Sequence, residues 1–120
     1  MKIAIPVNEN VLETDVCVSF GRSPYFLIYN TENKQTEFLK NSSADAPGGA
    51  GIKAAQFIVD NGVNTLLTVR CGQNAADILN AADVKIYKTS STKADENLKD
   101  FTEGKLELMT QFHAGFHGNR

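Results

Sequence analysis

The 120-residue chain holds only two cysteines, Cys17 and Cys71, and they make no CxxC pair. That excludes a zinc ribbon and a thioredoxin motif, and in a reducing cytosol both residues are expected as free thiols. Strong charge of either sign is missing too. The formal net charge is -2 and the Lys and Arg residues are scattered, so the basic face that nucleic acid binding requires is absent. No run approaches the ~18 apolar residues of a membrane span. Met1-Lys2 leads directly into the alternating run Ile3-Ala4-Ile5-Pro6-Val7, with no signal-peptide pattern. The expectation is a cytoplasmic protein with neither nucleic acid nor membrane as partner. No Ser–His–acid arrangement is suggested, and the glycines of the chain are not followed by the Gly-Lys-Ser/Thr of a P-loop.

What is present is ordinary in bulk and uneven in place. Apolar content of 42% and charged content of 22% suit a globular protein. A chain of this length buries roughly two-thirds of its unfolded surface, enough for one core. Residues 2–7 read as a first strand, 25–31 as a second and 35–40 as a third, hairpin-paired to the second across the polar turn at 32–34. Residues 50–61 read as a helix with Ile52, Ala55, Ile58 and Val59 on its apolar stripe, and Gly62 stops it. Residues 65–69 form a short strand of the kind buried on both faces. Residues 74–82 form a second helix, 84–87 a fifth strand, and a third helix starts at Thr92, where Asp95 completes a capping-box pattern. Residues 105–109 are a short apolar piece of open type. The order β-β-β-α-β-α-β-α predicts an α/β fold with a five-stranded mixed sheet, its second strand antiparallel. Residues 1–110 form its single domain, and 111–120 form a Gly- and His-containing tail expected to be mobile.

That topology brings the loops at residues 8–24, 41–49, 70–73 and 88–91 to one edge of the sheet. In open α/β sheets, ligands bind beyond the carboxyl ends of the parallel strands. The odd sequence features fall in these loops. Gly48, Gly49 and Gly51 follow Pro47 and open the first helix. Glycines admit close approach to backbone N–H groups, and a helix start adds unpaired donors and a positive dipole end, so this is an anion site in outline. The segment from Gly49 to Ala54 also fits G-x-G-x-x-A. However, the dinucleotide fingerprint needs a strand ending right before the glycines and an acidic residue about twenty positions on, and neither is present. An ordinary Gly-rich turn into a helix and a nucleotide- or phosphate-binding regulatory module both stay open.

The first loop offers Ser19, Gly21 and Arg22, the last with a fork of donors for an anion. The third loop offers Gly72 and Asn74 at another helix start. Cys71, beside that start, is expected to have a lowered pKa and thiolate character, which makes it a soft ligand for iron, copper or zinc. Cys17 reaches the same edge. His113 and His117 share a face if their segment is helical and then form a metal-binding pair, although the neighbouring glycines oppose a helix. Glu9, Asp15 and Asp45 could meet at this edge as in a two-metal hydrolase, but the first strand lacks the carboxylate such sheets place there.

Residues 2–7, Phe20-Gly21-Arg22-Ser23-Pro24-Tyr25-Phe26, the Gly-rich loop with its helix, Cys71-Gly72-Gln73-Asn74-Ala75 and Glu103-Gly104-Lys105-Leu106 together resemble the dinitrogenase iron-molybdenum cofactor biosynthesis family. This is the group around the nitrogenase accessory proteins X and Y and the carboxyl-terminal domain of the B protein. The resemblance spans nearly the whole chain. It implies a ribonuclease-H-like three-layer α/β/α sandwich. It also implies a non-catalytic binder or carrier of iron-molybdenum cofactor, its precursor or a related molybdenum iron–sulfur cluster, in cofactor biosynthesis or storage, with cluster-donor or acceptor proteins as partners. Many family members have His immediately before Phe-Gly, a candidate cluster ligand. Ser19 stands there in this chain, so either Cys17 or Cys71, or His113 and His117 of the tail, serve as metal ligands, or this member binds a different ligand.

Overall fold

The computed structural model describes residues 1–113. Its strands are β1 (Lys2–Val7), β2 (Tyr25–Asn30), β3 (Gln35–Lys40), β4 (Thr65–Thr68), β5 (Lys85–Lys88) and β6 (Glu107–Leu108), and its helices are α1 (Ala50–Asp60), α2 (Gln73–Ala81) and α3 (Ala94–Thr102). The sheet runs in the order β3-β2-β1-β4-β5-β6. β1, β4 and β5 are parallel, while β2 is antiparallel to both β1 and β3.

The period-two alternation of β1 sorts the two faces. Ala4 points to one side with Phe26, Ile28, Leu66 and Ile86, where α1 and α2 supply Ala54, Ala55, Ile58, Ala75, Ala76 and Leu79. Ile3, Ile5 and Val7 point to the other side with Leu27 and Leu67, where α3 supplies Ala94, Leu98 and Phe101. The result is the expected three-layer α/β/α sandwich.

The sheet has six strands where the sequence suggested five. The extra strand comes from the short piece after Gly104. Glu107 and Leu108 pair antiparallel with Lys88 and Tyr87, and the Met109 N–H donates to Ile86 O at 2.7 Å. A two-residue strand with both side chains exposed has too little alternation to be read from sequence, but it covers the otherwise open edge of β5.

Two local expectations need correcting. Ile52 does not face the core. It is 44% exposed, because the first turn of α1 borders a cavity rather than the sheet, and fully buried Ala54 packs in its place. The Thr92–Asp95 capping box does not form either. α3 begins at Ala94 with Lys93 as its N-cap and no side-chain cap bond.

Asn97 organises that end of α3 instead. It is fully buried, its Oδ1 accepts from Ser90 N–H (2.8 Å) and Ser91 N–H (3.3 Å), and its Nδ2 donates to Ser91 O (2.8 Å) and Lys93 O (2.7 Å). Removing that amide leaves four part-buried backbone groups without this partner and a cavity where the buried side chain stood. Asn97→Ala is therefore expected to cost about 2–4 kcal/mol in urea unfolding, and a loss below about 1 kcal/mol would contradict this assignment.

Candidate functional site

Three of the four loops at the carboxyl edge of the sheet close around a cavity of about 650 Å³. The β1–β2 loop contributes Val18, Ser19, Phe20, Gly21 and Arg22. The β3–α1 loop and first turn of α1 contribute Pro47, Gly48, Gly49, Ala50, Gly51 and Ile52. The β4–α2 loop and start of α2 contribute Arg70, Cys71, Gly72, Asn74 and Ala75, and His113 completes the wall. The loop after β5 stays outside. Lys88 borders an adjoining hollow of about 440 Å³, and Ser90 and Ser91 are held by Asn97.

The Phe-Gly-Arg turn is fixed from both sides. Phe20 is buried, its ring centroid 5.7 Å from that of Phe26, which in turn lies 5.9 Å from Phe57 of α1. A Cβ on Gly21 would fall 2.7 Å from Gly51 N and 2.9 Å from Gly51 Cα. Only glycine lets this turn lie on the first turn of α1. The Ser19 Oγ accepts from Arg22 N–H at 3.1 Å, and Arg22 Nη1 donates to Ala44 O at 3.0 Å, so the guanidinium spans from the first loop to the second.

Each helix start presents donors. Gly49, in the left-handed region at φ 69°, is the N-cap of α1, and the first bond of the helix is Lys53 N–H to Gly49 O at 3.0 Å. The N–H groups of Ala50, Gly51 and Ile52 thus lie ahead of the helical ladder. In α2 the ladder begins with Ala76 N–H to Gly72 O at 2.9 Å. There the Gln73 N–H donates to His113 O at 2.8 Å, so the C-terminal segment occupies one donor of this start and leaves those of Asn74 and Ala75 facing the cavity.

The electrostatics point one way. Arg22 and Arg70 line the cavity and, among the described residues, no Asp or Glu does. Neither α1 nor α2 has an acidic residue in its first turn, whereas α3, which starts elsewhere, has Asp95 and Glu96 there. First-turn carboxylates would neutralise the positive dipole ends; the two helices at the cavity keep theirs uncompensated.

Ser19, Gly21, Arg22, Gly48, Gly49, Gly51, Gly72 and Asn74, chosen from sequence as ligand-binding candidates, all line this one cavity. The metal-ligand candidates are more dispersed. Cys71 and His113 line it, and the His113 ring lies over Gly72. Cys17 is half-buried beside β1, with its N–H donating to Pro6 O, and does not line the cavity; His117 lies outside the described residues. Asp15 pairs with Lys93 at 3.0 Å. Among the described residues, no group of three or more His, Cys, Asp or Glu side chains is placed to hold a metal ion.

The expected lowered pKa of Cys71 is overturned. Burial pushes the thiol up to about 12: Cys71 packs into the core cluster beneath the loop, and its Sγ lies 3.6 Å from the Gly72 carbonyl rather than free at the helix start. Sequence reading also missed Val18, Ile52 and Arg70 on the wall and Asn41 and Ser43 behind it. Ile52 fits the apolar stripe of the helix, and Val18, Asn41 and Ser43 lie in loops without periodicity.

Gly21→Ala is expected to destabilise the fold by about 1–3 kcal/mol through overpacking against α1. Gly48→Ala, where a Cβ meets nothing within 4 Å, should leave the unfolding midpoint unchanged. Equal effects would contradict the packing described. Iodoacetamide should alkylate Cys17 first and Cys71 about 100-fold or more slowly at pH 8, because the thiolate is the nucleophile. The Cys71 rate should climb about tenfold per pH unit below its pKa of about 12, and labelling as fast as Cys17 at pH 8 would contradict its burial.

The chain matches the family model described as dinitrogenase iron-molybdenum cofactor over residues 1–104. It is 34% identical over 110 residues to an uncharacterised protein of Methanocaldococcus jannaschii, covering 89% of this chain and 90% of that protein. It superposes on the apo form of the orange protein of Desulfovibrio gigas with a TM-score of 0.85 at 27% identity, covering 90% and 92% of the two chains. A NifB-like protein of Thermotoga, placed in the DUF35 family, superposes with a TM-score of 0.82 at 38% identity and covers 98% of each chain. The chain therefore belongs to the dinitrogenase iron-molybdenum cofactor family.

Proposed function

We infer that this protein is a non-catalytic binder or carrier of an anionic metal–sulfur cluster: iron-molybdenum cofactor, its precursor or a related molybdenum cluster. Family membership ties the chain to cofactor biosynthesis or binding. The carrier role within that frame rests on one observation. A cavity to which no Asp or Glu among the described residues contributes is flanked by two helix starts without first-turn acids and by two arginines.

The donor set suits such cargo. Sulfide ligands at a cluster surface accept hydrogen bonds from backbone N–H groups and guanidinium, as other anions do. Val18, 59% exposed, and Ile52, 44% exposed, add apolar surface at the cavity, which matches weakly hydrated sulfide better than phosphate. With Cys71 protonated at neutral pH, this reading has the cluster held by contacts to its outer sulfides rather than through a thiolate–metal bond. Binding of that kind needs no nucleophile or base, and it leaves the cluster intact for transfer between a donor and an acceptor protein. A phosphate or nucleotide ligand would use the same amides. It is the competing outcome of the test.

The test is anaerobic titration with tetrathiomolybdate, alone and with iron or copper, followed by molybdenum analysis and visible spectroscopy. Stoichiometric molybdenum with a charge-transfer band is expected. Arg22→Ala and Arg70→Ala should each weaken binding about tenfold or more, as loss of a charge-assisted hydrogen bond does. Cys71→Ala should keep the band. Failure to bind any thiomolybdate species, with thermal stabilisation by a nucleotide instead, would overturn the cluster reading.

A further inference from the structure

Behind the cavity wall lies a small buried polar cluster that does not itself line the cavity. Asn41 and Ser43 are 3% and 5% exposed, and neither lines the cavity. The Asn41 amide uses its full hydrogen-bonding capacity. Its Nδ2 donates to Gly21 O at 3.0 Å and Ser23 O at 2.8 Å, while its Oδ1 accepts from the Ser43 N–H at 3.1 Å and from the Ser43 hydroxyl. The Ser43 Oγ also lies 3.2 Å from Gly21 O, and the Asn41 N–H donates to Pro24 O at 3.0 Å. The Asn41 side chain therefore joins loop 41–49 to loop 8–24 at two carbonyls.

Two consequences follow for the wall. Gly21 sits against the backbone of Ala50 and Gly51, so whatever holds the Gly21 carbonyl also sets how the Phe-Gly-Arg turn rests on the start of α1. The carbonyls of Gly21, Ser23 and Ala44, each a partial negative charge near Arg22, are engaged by Asn41, Ser43 and Arg22 itself. They are directed into protein donors rather than left for an incoming anion to meet.

We propose that Asn41, with Ser43, is the positioning residue of the anion site: it locks the Gly21–Arg22 turn onto the α1 start and keeps the turn's carbonyls away from the ligand. This rests on the cluster-binding reading for its ligand, but not for its geometry. Asn41→Ala removes the lock. Asn41→Asp preserves the size but sets a carboxylate against two carbonyl oxygens, and it should be the more damaging change. Ser43→Ala removes only the hydroxyl and is the variant that keeps the fold if the others do not.

The test has two arms. In the first, tetrathiomolybdate is titrated into the folded full-length variants well below their melting points. Asn41→Ala is expected to weaken binding about tenfold or more and Ser43→Ala by about threefold, with far-ultraviolet circular dichroism unchanged. In the second, the ligand-free proteins undergo limited trypsin digestion. Cleavage after Arg22 should accelerate selectively in the order wild type, Ser43→Ala, Asn41→Ala, while cleavage elsewhere keeps its rate. A purely structural role would lower stability and speed cleavage at all sites alike without changing the affinity of the folded fraction, and that result overturns the proposal. If wild type binds no thiomolybdate, the cargo reading fails. The trypsin arm alone then decides, and unchanged cleavage after Arg22 refutes the positioning role.

Discussion

Gly21 lies on the first turn of α1 with no room for a Cβ, and the cavity exists because of that contact. It places a loop leaving β1 directly over the start of a helix that follows β3, two segments about thirty residues apart in the chain. Phe20 drives the turn inward by burying its ring beside Phe26. Arg22, two residues beyond Phe20, then stands at the surface beside the second loop, with Nη1 on Ala44 O. Parallel pairing of β1 with β4 brings the third wall, because the end of β4 opens into α2 next to α1. The site is thus a consequence of strand order plus one glycine.

The electrostatic character of the cavity follows from what is withheld. Helix starts in proteins commonly take Asp or Glu in the first turn, and α3 does so with Asp95 and Glu96. α1 and α2 begin instead with Ala-Gly-Ile and Gln-Asn-Ala. Their donors stay available, except for the Gln73 N–H taken by the His113 carbonyl. Arg22 and Arg70 add full charges. A thiolate at Cys71 would oppose this arrangement by adding negative charge to the wall, and burial keeps that thiol protonated. The charges and helix ends around the cavity therefore favour negative charge over a bare metal ion.

Much of this was legible in the chain. The β1 alternation, the aromatic run of β2, the Asn61-Gly62 stop and the Gly-rich start of α1 carry their physics locally, and they suffice to place the loops on one edge. The ligand-binding candidates fall on one cavity because the glycines and the arginine lie in loops that the strand order already brings to one edge. What could not be read depends on distance between segments. Asn41 looks like any loop polar residue until Gly21 and Ser23 are folded against it. The burial of Cys71, which reverses the effect of its helix start, is set by the core beneath it. Ile52 fits a helical stripe but sits in the first turn of α1, which borders the cavity rather than the sheet. β6 is a strand only because β5 offers it an edge.

The most direct test of the account is to map which backbone amides respond when the cargo binds. In ¹⁵N-labelled protein titrated anaerobically with tetrathiomolybdate, the largest shifts should fall on Ala50, Gly51, Ile52, Asn74 and Ala75, with smaller ones at Gly21 and Arg22. Shifts centred on Cys17, on the β3 edge or on the start of α3, with the first turns of α1 and α2 unmoved, would contradict the claim that two helix starts form the anion site.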